Sequence, residues 1–470
     1  MVPNIKRGLA VIFVFILITT VGILAVQSQA DIDGTPKPAR QNSSPAYQHG
    51  NANLSKISPD GRFVAFQSYA SNLVDGDTND NCETSDGAHG ASCPDIFLFD
   101  RETGKVTRIS VASDGNQGNA GSAYGGSFSA DARYMAYTSA SSNLVEGDTN
   151  HMLDVFLYDQ VSGETSRVSV SSAGTQANQH SHQPALSEDG RFVAFATTSS
   201  NLVAGDTNGM SDIYLHDRLT GETGRVSVSS AGLQGDGHSY QPSISGDGRL
   251  VAFYSQASNL VLDDTNRVED IFVHDRESGE TFRISISSTG MQGDGKSYQP
   301  YISRNGQYVA YSSDATNLVA DDTNGTYDIF VHDLLSGETT RVSVASDGTQ
   351  ATGGNFGSHY PFISADGRYL TFGSFAPNLV AGIETGFVDI YVHDRLTGET
   401  SRVSIANDGT RGNFDSYSPS SISDDGRYVA FCSDASNLVV DDSNGFRDIF
   451  VHDRLSGLTE RISAGYEVLP

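Results

Sequence analysis

From residue 51 onward the chain alternates short apolar runs with polar, glycine-marked breaks, and no stretch of it keeps a helical period. The segment PSISGDGRLVAFYSQASNLVLDDTNRVEDIFVHDRESGETFRISIS, residues 242–287, shows the whole pattern. Its runs PSIS, RLVAFYS, DIFVHD and FRISIS are rich in Val, Ile, Phe and Tyr, side chains that suit a pleated, half-buried surface. Asp-Gly separates the first two runs and Ser-Gly-Glu the last two, so each pair predicts a hairpin whose glycine accepts a positive φ. Four antiparallel strands per unit follow.

The unit recurs seven times. Arg249 has counterparts at Arg62, Arg133, Arg191, Gln307, Arg368 and Arg427, at intervals of 71, 58, 58, 58, 61 and 59 residues. Repeats of this length, all strand, predict an all-β chain folded as a seven-bladed β-propeller. β-helix repeats are far shorter. The first unit opens with its own first strand near LSKIS and the last closes with its own fourth strand, TERIS. Each blade is therefore expected from contiguous sequence, with no strand exchanged at the closure.

The pair SISGDGRLVAFYS and DIFVHD resembles the WD40-like (PD40) repeat of TolB-type propellers, in which a Ser-x-Asp-Gly-Arg turn precedes the second strand. The resemblance covers roughly residues 51–463 and implies the fold far more than an activity. True WD40 repeats match less well, because the chain has no Trp. Residues 31–50 are too short for the additional N-terminal domain of TolB itself.

Outside the repeats, residues 1–30 look like a targeting segment. Lys6 and Arg7 precede an apolar run from Gly8 to Val26, and Ser28-Gln29-Ala30 follows. The segment is either a cleaved signal peptide or a retained membrane anchor. Residues 31–50 are a Pro- and Ser-rich linker and 464–470 a C-terminal tail. A formal charge of -28 argues against nucleic acid and anionic membranes as partners, both of which need a basic face. It suits an exported protein (periplasmic, cell-surface or extracellular) that touches a membrane only through an uncleaved N-terminus and acts as a monomer. Cys82 and Cys93 share an insertion in the first unit and are expected to pair in an oxidising compartment, while Cys432 sits in a strand-like run.

Comparing units with one another separates residues the fold needs from residues free to vary. Asp100, Asp159, Asp217, Asp275, Asp333, Asp394 and Asp453 end every third strand, and Arg108, Arg167, Arg225, Arg283, Arg341, Arg402 and Arg461 recur in every fourth. Their opposite charges are expected to pair across sheets or between blades. His216, His274, His332, His393 and His452 are expected to be partly buried and bonded to a neighbour rather than gathered on a metal. Tyr124, His182, Tyr240, Tyr298, His359 and Tyr417 precede or open the first strands and are predicted to ring one mouth of the channel, where they would bind a protein or small ligand. Their structural alternative is stacking on the proline that follows.

One motif invites a metal. Asp-x-Asn-x-x-x-Asp occurs as Asp148/Asn150/Asp154, Asp206/Asn208/Asp212, Asp264/Asn266/Asp270, Asp322/Asn324/Asp328 and Asp442/Asn444/Asp448. Calcium takes six to eight hard oxygens, so backbone and water would have to complete each set. Otherwise the loops are turns in which Asp and Asn bond back to nearby amides. In the sixth unit Ile383 and Thr385 replace the Asp and Asn, and only Asp389 remains. No cofactor is required, and calcium is the one candidate ion.

Function is expected to be that of a non-catalytic binding scaffold. Gly-x-Ser-x-Gly and His-Glu-x-x-His are absent. Two alternatives stand beside it. One is a calcium-stabilised surface module. The other is a propeller hydrolase or lyase using carboxylates such as Asp236 and Asp294, although the lack of Trp removes the usual aromatic platforms.

Overall fold

A computed structural model describes residues 51–78, 93–352, 357–382 and 386–464. These residues form seven four-stranded antiparallel sheets, each built from four consecutive strands. Blade 1 begins with Ala52–Ile57 and blade 7 ends with Leu458–Arg461, so no strand is exchanged. Among the described residues no helix is long and apolar enough to cross a membrane. The targeting segment, the linker and most of the first-unit insertion lie outside the described residues. Cys93 is disulfide-bonded; Cys82, its expected partner, lies outside them, and Cys432 is free and buried.

Each blade is a sheet sandwiched between two others, which explains why its middle strands read as continuous apolar runs. Val251, Ala252, Phe253 and Tyr254 are all at most 2% exposed. Phe253 lies directly opposite Phe272 on the third strand, and every blade repeats this aromatic pair with centroids 5.8 to 6.2 Å apart. Such cross-strand ring pairs contribute beyond the area they bury.

The Ser-x-Asp-Gly-Arg turn fastens one blade to the next. Asp247 accepts the Ser245 hydroxyl and the Arg249 N–H, which fixes the turn. Gly248, at φ +72°, lies so close to the preceding blade that a Cβ would come within 2.3 Å of the Phe192 ring. Arg276 donates to the Gly248 carbonyl at 2.6 Å and lies 4.0 Å over the same ring. Gly248→Ala is therefore expected to destabilise the propeller by about 2–4 kcal/mol, combining left-handed strain with overpacking. Urea unfolding checks this; a loss under about 1 kcal/mol would show that the junction yields.

The recurring charges pair differently from the sequence expectation. Arg249, in the turn, grips Asp275 at the end of the third strand through Nε–Oδ1 at 3.0 Å and Nη2–Oδ2 at 2.6 Å. That guanidinium holds the Asp275 carboxyl well below the usual range. Register is the reason: Arg283 of the fourth strand stands opposite Phe272, near the other end of the third strand, and cannot reach Asp275. It meets the Asp-x-Asn loop instead.

The ring closes with blade 7 against blade 1. Ala52 N–H donates to the Arg447 carbonyl at 2.9 Å, Asp424 N–H to the Pro59 carbonyl at 2.8 Å, and Arg101 pairs with Glu460 at 2.6 Å. Ile57 and Phe66 share a buried cluster with Ala430, Cys432 and Ile449, so the closure is a junction like the others.

Candidate functional site at the channel mouth

Variation between blades concentrates at one end of the sheets, where first strands begin, second strands end and third strands begin. The residue just after the second strand is Tyr69, Thr198, Gln256, Asp314 and Asp434 in five blades, while the third strands hardly change. The first strand, innermost in each blade, carries a bulge after its second residue. Gln183, Gln241, Gln299 and Tyr360 occupy it at φ between 51° and 58°, strain that the surrounding sheets must hold. Prolines 184, 242, 300 and 361 follow, on an edge facing the channel where a missing N–H breaks no ladder.

The predicted mouth residues fall at the strand position just before this bulge. His182, Tyr240, Tyr298, His359 and Tyr417 are each the second residue of a first strand. Tyr124 is not: Ala123 holds that register opposite Thr138, and Tyr124 is the next residue along. The others do not stand singly in the opening, nor is their main partner the following proline. All but Tyr417 join a chain of ring contacts that crosses between blades. His182 lies 6.3 Å from Tyr240, which lies 5.7 Å from His238 and 5.6 Å from Tyr254. Tyr254 meets Tyr298 edge-on at 5.3 Å, Tyr298 meets Tyr327 at 6.2 Å, and Tyr327 meets His359 at 5.2 Å. Seven rings thus run without a break from blade 3 to blade 6. His238, Tyr254 and Tyr327 were not picked out from the sequence, because they lie outside the position where the repeat pattern drew attention.

Both outer imidazoles are neutral at ordinary pH, since burial pushes His182 and His359 down to about 4. His238 accepts the Ser211 N–H at Nδ1 at 2.9 Å, which leaves its proton on Nε2. Polar groups flank the arc. Lys296 pairs with Glu269 at 3.3 Å, beside Tyr298. In blade 7, Tyr417 donates to Asp434 at 2.8 Å beneath Arg447, whose guanidinium lies 3.9 Å from the ring. Gln183 and Gln299 accept the N–H groups of Gln241 and Tyr360 on the next blade, at 3.0 and 2.8 Å. The buried Oε1 of Gln241 has no hydrogen-bond partner among the described residues.

The Asp-x-Asn loops have a different geometry from a calcium cage. Asn266 turns its Nδ2 toward Asp270 Oδ2 and the Gly293 carbonyl, both at 3.0 Å, and accepts the Val268 N–H at 3.2 Å. The other four amides do the same. Asn150 donates to Asp154 at 2.8 Å, Asn208 to Asp212 at 3.0 Å, Asn324 to Asp328 at 2.8 Å and Asn444 to Asp448 at 2.8 Å. Their Oδ1 atoms are taken as well, by the N–H groups of Met152, Met210, Thr326 and Phe446.

Each carboxylate pair is likewise already occupied. Gln292 donates to Asp264 and Asp270 at 3.0 and 3.2 Å. Arg283 brings its guanidinium to 3.7 and 3.9 Å from the same two carboxylates. Arg167 meets Asp148 and Asp154 in this way, Arg225 meets Asp206 and Asp212, Arg341 meets Asp322 and Asp328, and Arg461 meets Asp442 and Asp448. A cation thus already lies between the carboxylates, and each amide offers a donor where calcium needs a lone pair. In all five loops the arrangement is that of the turn set beside calcium in the sequence reading. Asn150, Asn208, Asn266, Asn324 and Asn444 are turn-forming donors, and the Asp residues around them belong to arginine-centred clusters.

Blade 6 supports this view. Having lost its Asn, it supplies the missing donor to Asp389 from Arg411 Nε at 2.8 Å, at the position held by Gln292 in blade 4. Among the described residues, no group of three or more His, Cys, Asp or Glu is arranged to hold a metal.

The other repeated groups are also committed to the fold. His274 Nδ1 lies 2.9 Å from Thr281 Oγ1, whose hydroxyl proton goes to the Val228 carbonyl of the preceding blade. The imidazole must therefore donate from Nδ1, and His216, His332, His393 and His452 make the same contact with Thr223, Thr339, Thr400 and Thr459. Asp236 accepts the Ser258 N–H and hydroxyl at 2.7 and 2.8 Å, and Asp294 does the same with Thr316. In blade 2, Asn119 Oδ1 accepts the Ser142 N–H at 2.9 Å, so an amide serves where the lyase reading would place a catalytic carboxylate.

No protein-family model and no curated protein sequence matches the chain. Solved structures do resemble it. The propeller domain of the Trilobed protease from Pyrococcus furiosus superposes with a TM-score of 0.52 at 12% identity, covering 88% of this chain and 96% of that one. Oligogalacturonate lyase from Vibrio parahaemolyticus gives 0.50 at 14% identity, covering 88% and 92%. TolB from Acinetobacter baumannii gives 0.40 at 15% identity, covering 80% and 76%. The chain's structural neighbours therefore include TolB and propellers of enzymes. At these identities the likeness is one of fold alone.

Proposed function

We propose that this protein is an exported, non-catalytic β-propeller that binds a protein segment or other ligand at the aromatic mouth of its channel. The observation that carries this reading is the unbroken arc of seven rings across three blade junctions, placed where the repeats diverge. Aromatic groups with a few fixed polar partners are what a binding cleft needs. The repeated Asp and Arg, by contrast, are paired within their own blades, the repeated His bond the threonines that reach the preceding blade, and the two candidate lyase carboxylates are bound to neighbouring loop hydroxyls.

Tyr360 offers the cleanest test, since it is 39% exposed at the rim and can be removed with little loss of core. Tyr360→Ala is expected to weaken capture of partners from the envelope fraction at least tenfold, with an unchanged melting temperature. Undiminished capture by both Tyr360→Ala and His182→Ala would place binding elsewhere on the propeller.

A further inference from the structure

Below the mouth, one side chain crosses the channel. Lys56, on the first strand of blade 1, carries its Nζ to 4.4 Å from the centroid of Phe362 and 5.1 Å from that of Tyr301. Those two rings, 4.1 Å apart, belong to blades 6 and 5. Cation–π attraction offsets part of the cost of desolvating an ammonium, but among the described residues Lys56 has no carboxylate and no hydrogen-bond partner. Arg304, two residues past the end of the first strand of blade 5, does have a counter-charge: its Nε stands 3.9 Å from Asp424, although its buried Nη1 has no hydrogen-bond partner among the described residues.

Comparison between blades shows that the fold does not ask for this charge. Register places Ala185, Ser243, Tyr301, Phe362 and Ser421 at the equivalent position, opposite the same residue of the second strand. All are uncharged. A lone ammonium kept at a cost in stability, where sister blades use neutral residues, is the mark of a group held for a ligand. Lys56 is half-buried, so the residue keeps some access to solvent. Nearer the mouth, the unpartnered Gln241 Oε1 and His182 Nδ1 are two further buried groups that a bound molecule would satisfy.

We infer that the funnel receives a carboxylate-bearing ligand, its anionic group meeting Lys56 Nζ while its body lies along the aromatic arc. This rests on the binding reading above and names its chemistry. A carboxylate supplies the missing counter-charge, and an N–H beside it would find Gln241 Oε1, as at the C-terminal end of a polypeptide; a small carboxylic acid would use the same floor. Burial brings the Lys56 ammonium down to about 7. Of the elements facing it, Tyr301 is held protonated by its own burial, and Arg304 and Asp424 lie beyond it as a pair. Carboxylate binding should therefore weaken as the amine loses its proton above that pH.

Calorimetry on the full chain tests this with the tripeptide Gly-Phe-Ala as free acid, the same tripeptide as C-terminal amide, and benzoate. The free acid is expected to bind at least tenfold tighter than the amide. That preference should vanish in Lys56→Met, persist in Lys56→Arg, and fall about tenfold per pH unit above pH 7 to 8. Lys56→Met should also melt several degrees higher than wild type, which shows that it folds. Benzoate binding that depends on Lys56, without tripeptide binding, assigns the floor to a small acid. Equal affinity for acid and amide, or a preference that survives Lys56→Met, overturns the inference. Absence of any carboxylate binding overturns it too, and leaves the mouth reading standing if Tyr360→Ala still weakens partner capture.

Discussion

Asp270→Ala is expected to destabilise the propeller by about 3–5 kcal/mol, and adding calcium or a chelator is expected to move the melting temperature of neither wild type nor variant. Asp270 is fully buried at the start of a third strand, where it accepts from Ser285, Asn266 and Gln292 and faces Arg283. Removing the carboxylate leaves a buried guanidinium and three donors with too few acceptors, and uncompensated buried charge is the costly case. Asp270→Asn retains an acceptor but removes the charge, so it should cost less than alanine and still more than about 1 kcal/mol. A calcium-dependent rise in melting temperature that Asp270→Ala abolishes would restore the metal reading and refute the assignment of Arg283 as the resident cation.

Part of the acid sensitivity between pH 6.5 and 4 is expected to come from the blade-junction histidines, beside that of the buried mouth residues His182 and His359. Burial lowers His393 and His452 to about 4. Above pH 6.5 the imidazoles are neutral whether the chain is folded or not, so they contribute no pH dependence. As pH falls below that value the unfolded chain binds protons that the folded chain refuses, and stability drops until the folded-state value near 4 is reached. Allowing for partial solvent screening, each of the two should cost about 1–2 kcal/mol at pH 5. Blades 1 and 2 show the remedy, because Phe99 and Tyr158 stand at the same position. The double variant His393→Phe/His452→Phe should therefore lose about 2–4 kcal/mol less than wild type between pH 8 and pH 5. The buried loop carboxylates act in the opposite direction, Asp442 being raised to about 6 by burial, but they are common to both proteins and cancel in the comparison. Asp453 and the equivalents that face a turn arginine are held low by it and lose their contribution only below the ordinary carboxylate range. Parallel pH slopes for the two proteins would show that the imidazoles are protonated in the folded state.

Much of the fold is legible in the residues because it is local and said seven times. Asp-Gly and Ser-Gly-Glu mark hairpins, and Val, Phe and Tyr on both faces of the middle strands announce sheets covered on both sides. The bland expectation for the histidines follows in the same way, since a residue repeated at five of seven equivalent positions belongs to the repeat. The charge pairing was less legible. Asp275 and Arg283 lie eight residues apart on adjacent strands and look like partners, yet the register of the hairpin sends them to opposite ends of the sheet. The Asp-x-Asn loops hide their cation for a related reason: it comes from an arginine more than a dozen residues away, and nothing within the loop itself reveals it. Nor does the pattern say which way an amide points, and Asn150, Asn324 and Asn444 all turn the nitrogen to the carboxylate.

What the sequence determined by itself is the blade: its four strands, its turns, its count of seven and its contiguity, all consequences of propensity, turn chemistry and repetition over distances of a few residues. What only the tertiary structure decided is everything that crosses between blades. The edge-on contact of Tyr254 with Tyr298 and the reach of Lys56 to Tyr301 and Phe362 join residues from 44 to more than 300 positions apart. Those meetings depend on how far the ring curves and how wide its channel is left, and these are set by the packing of all seven sheets together rather than by any one of them.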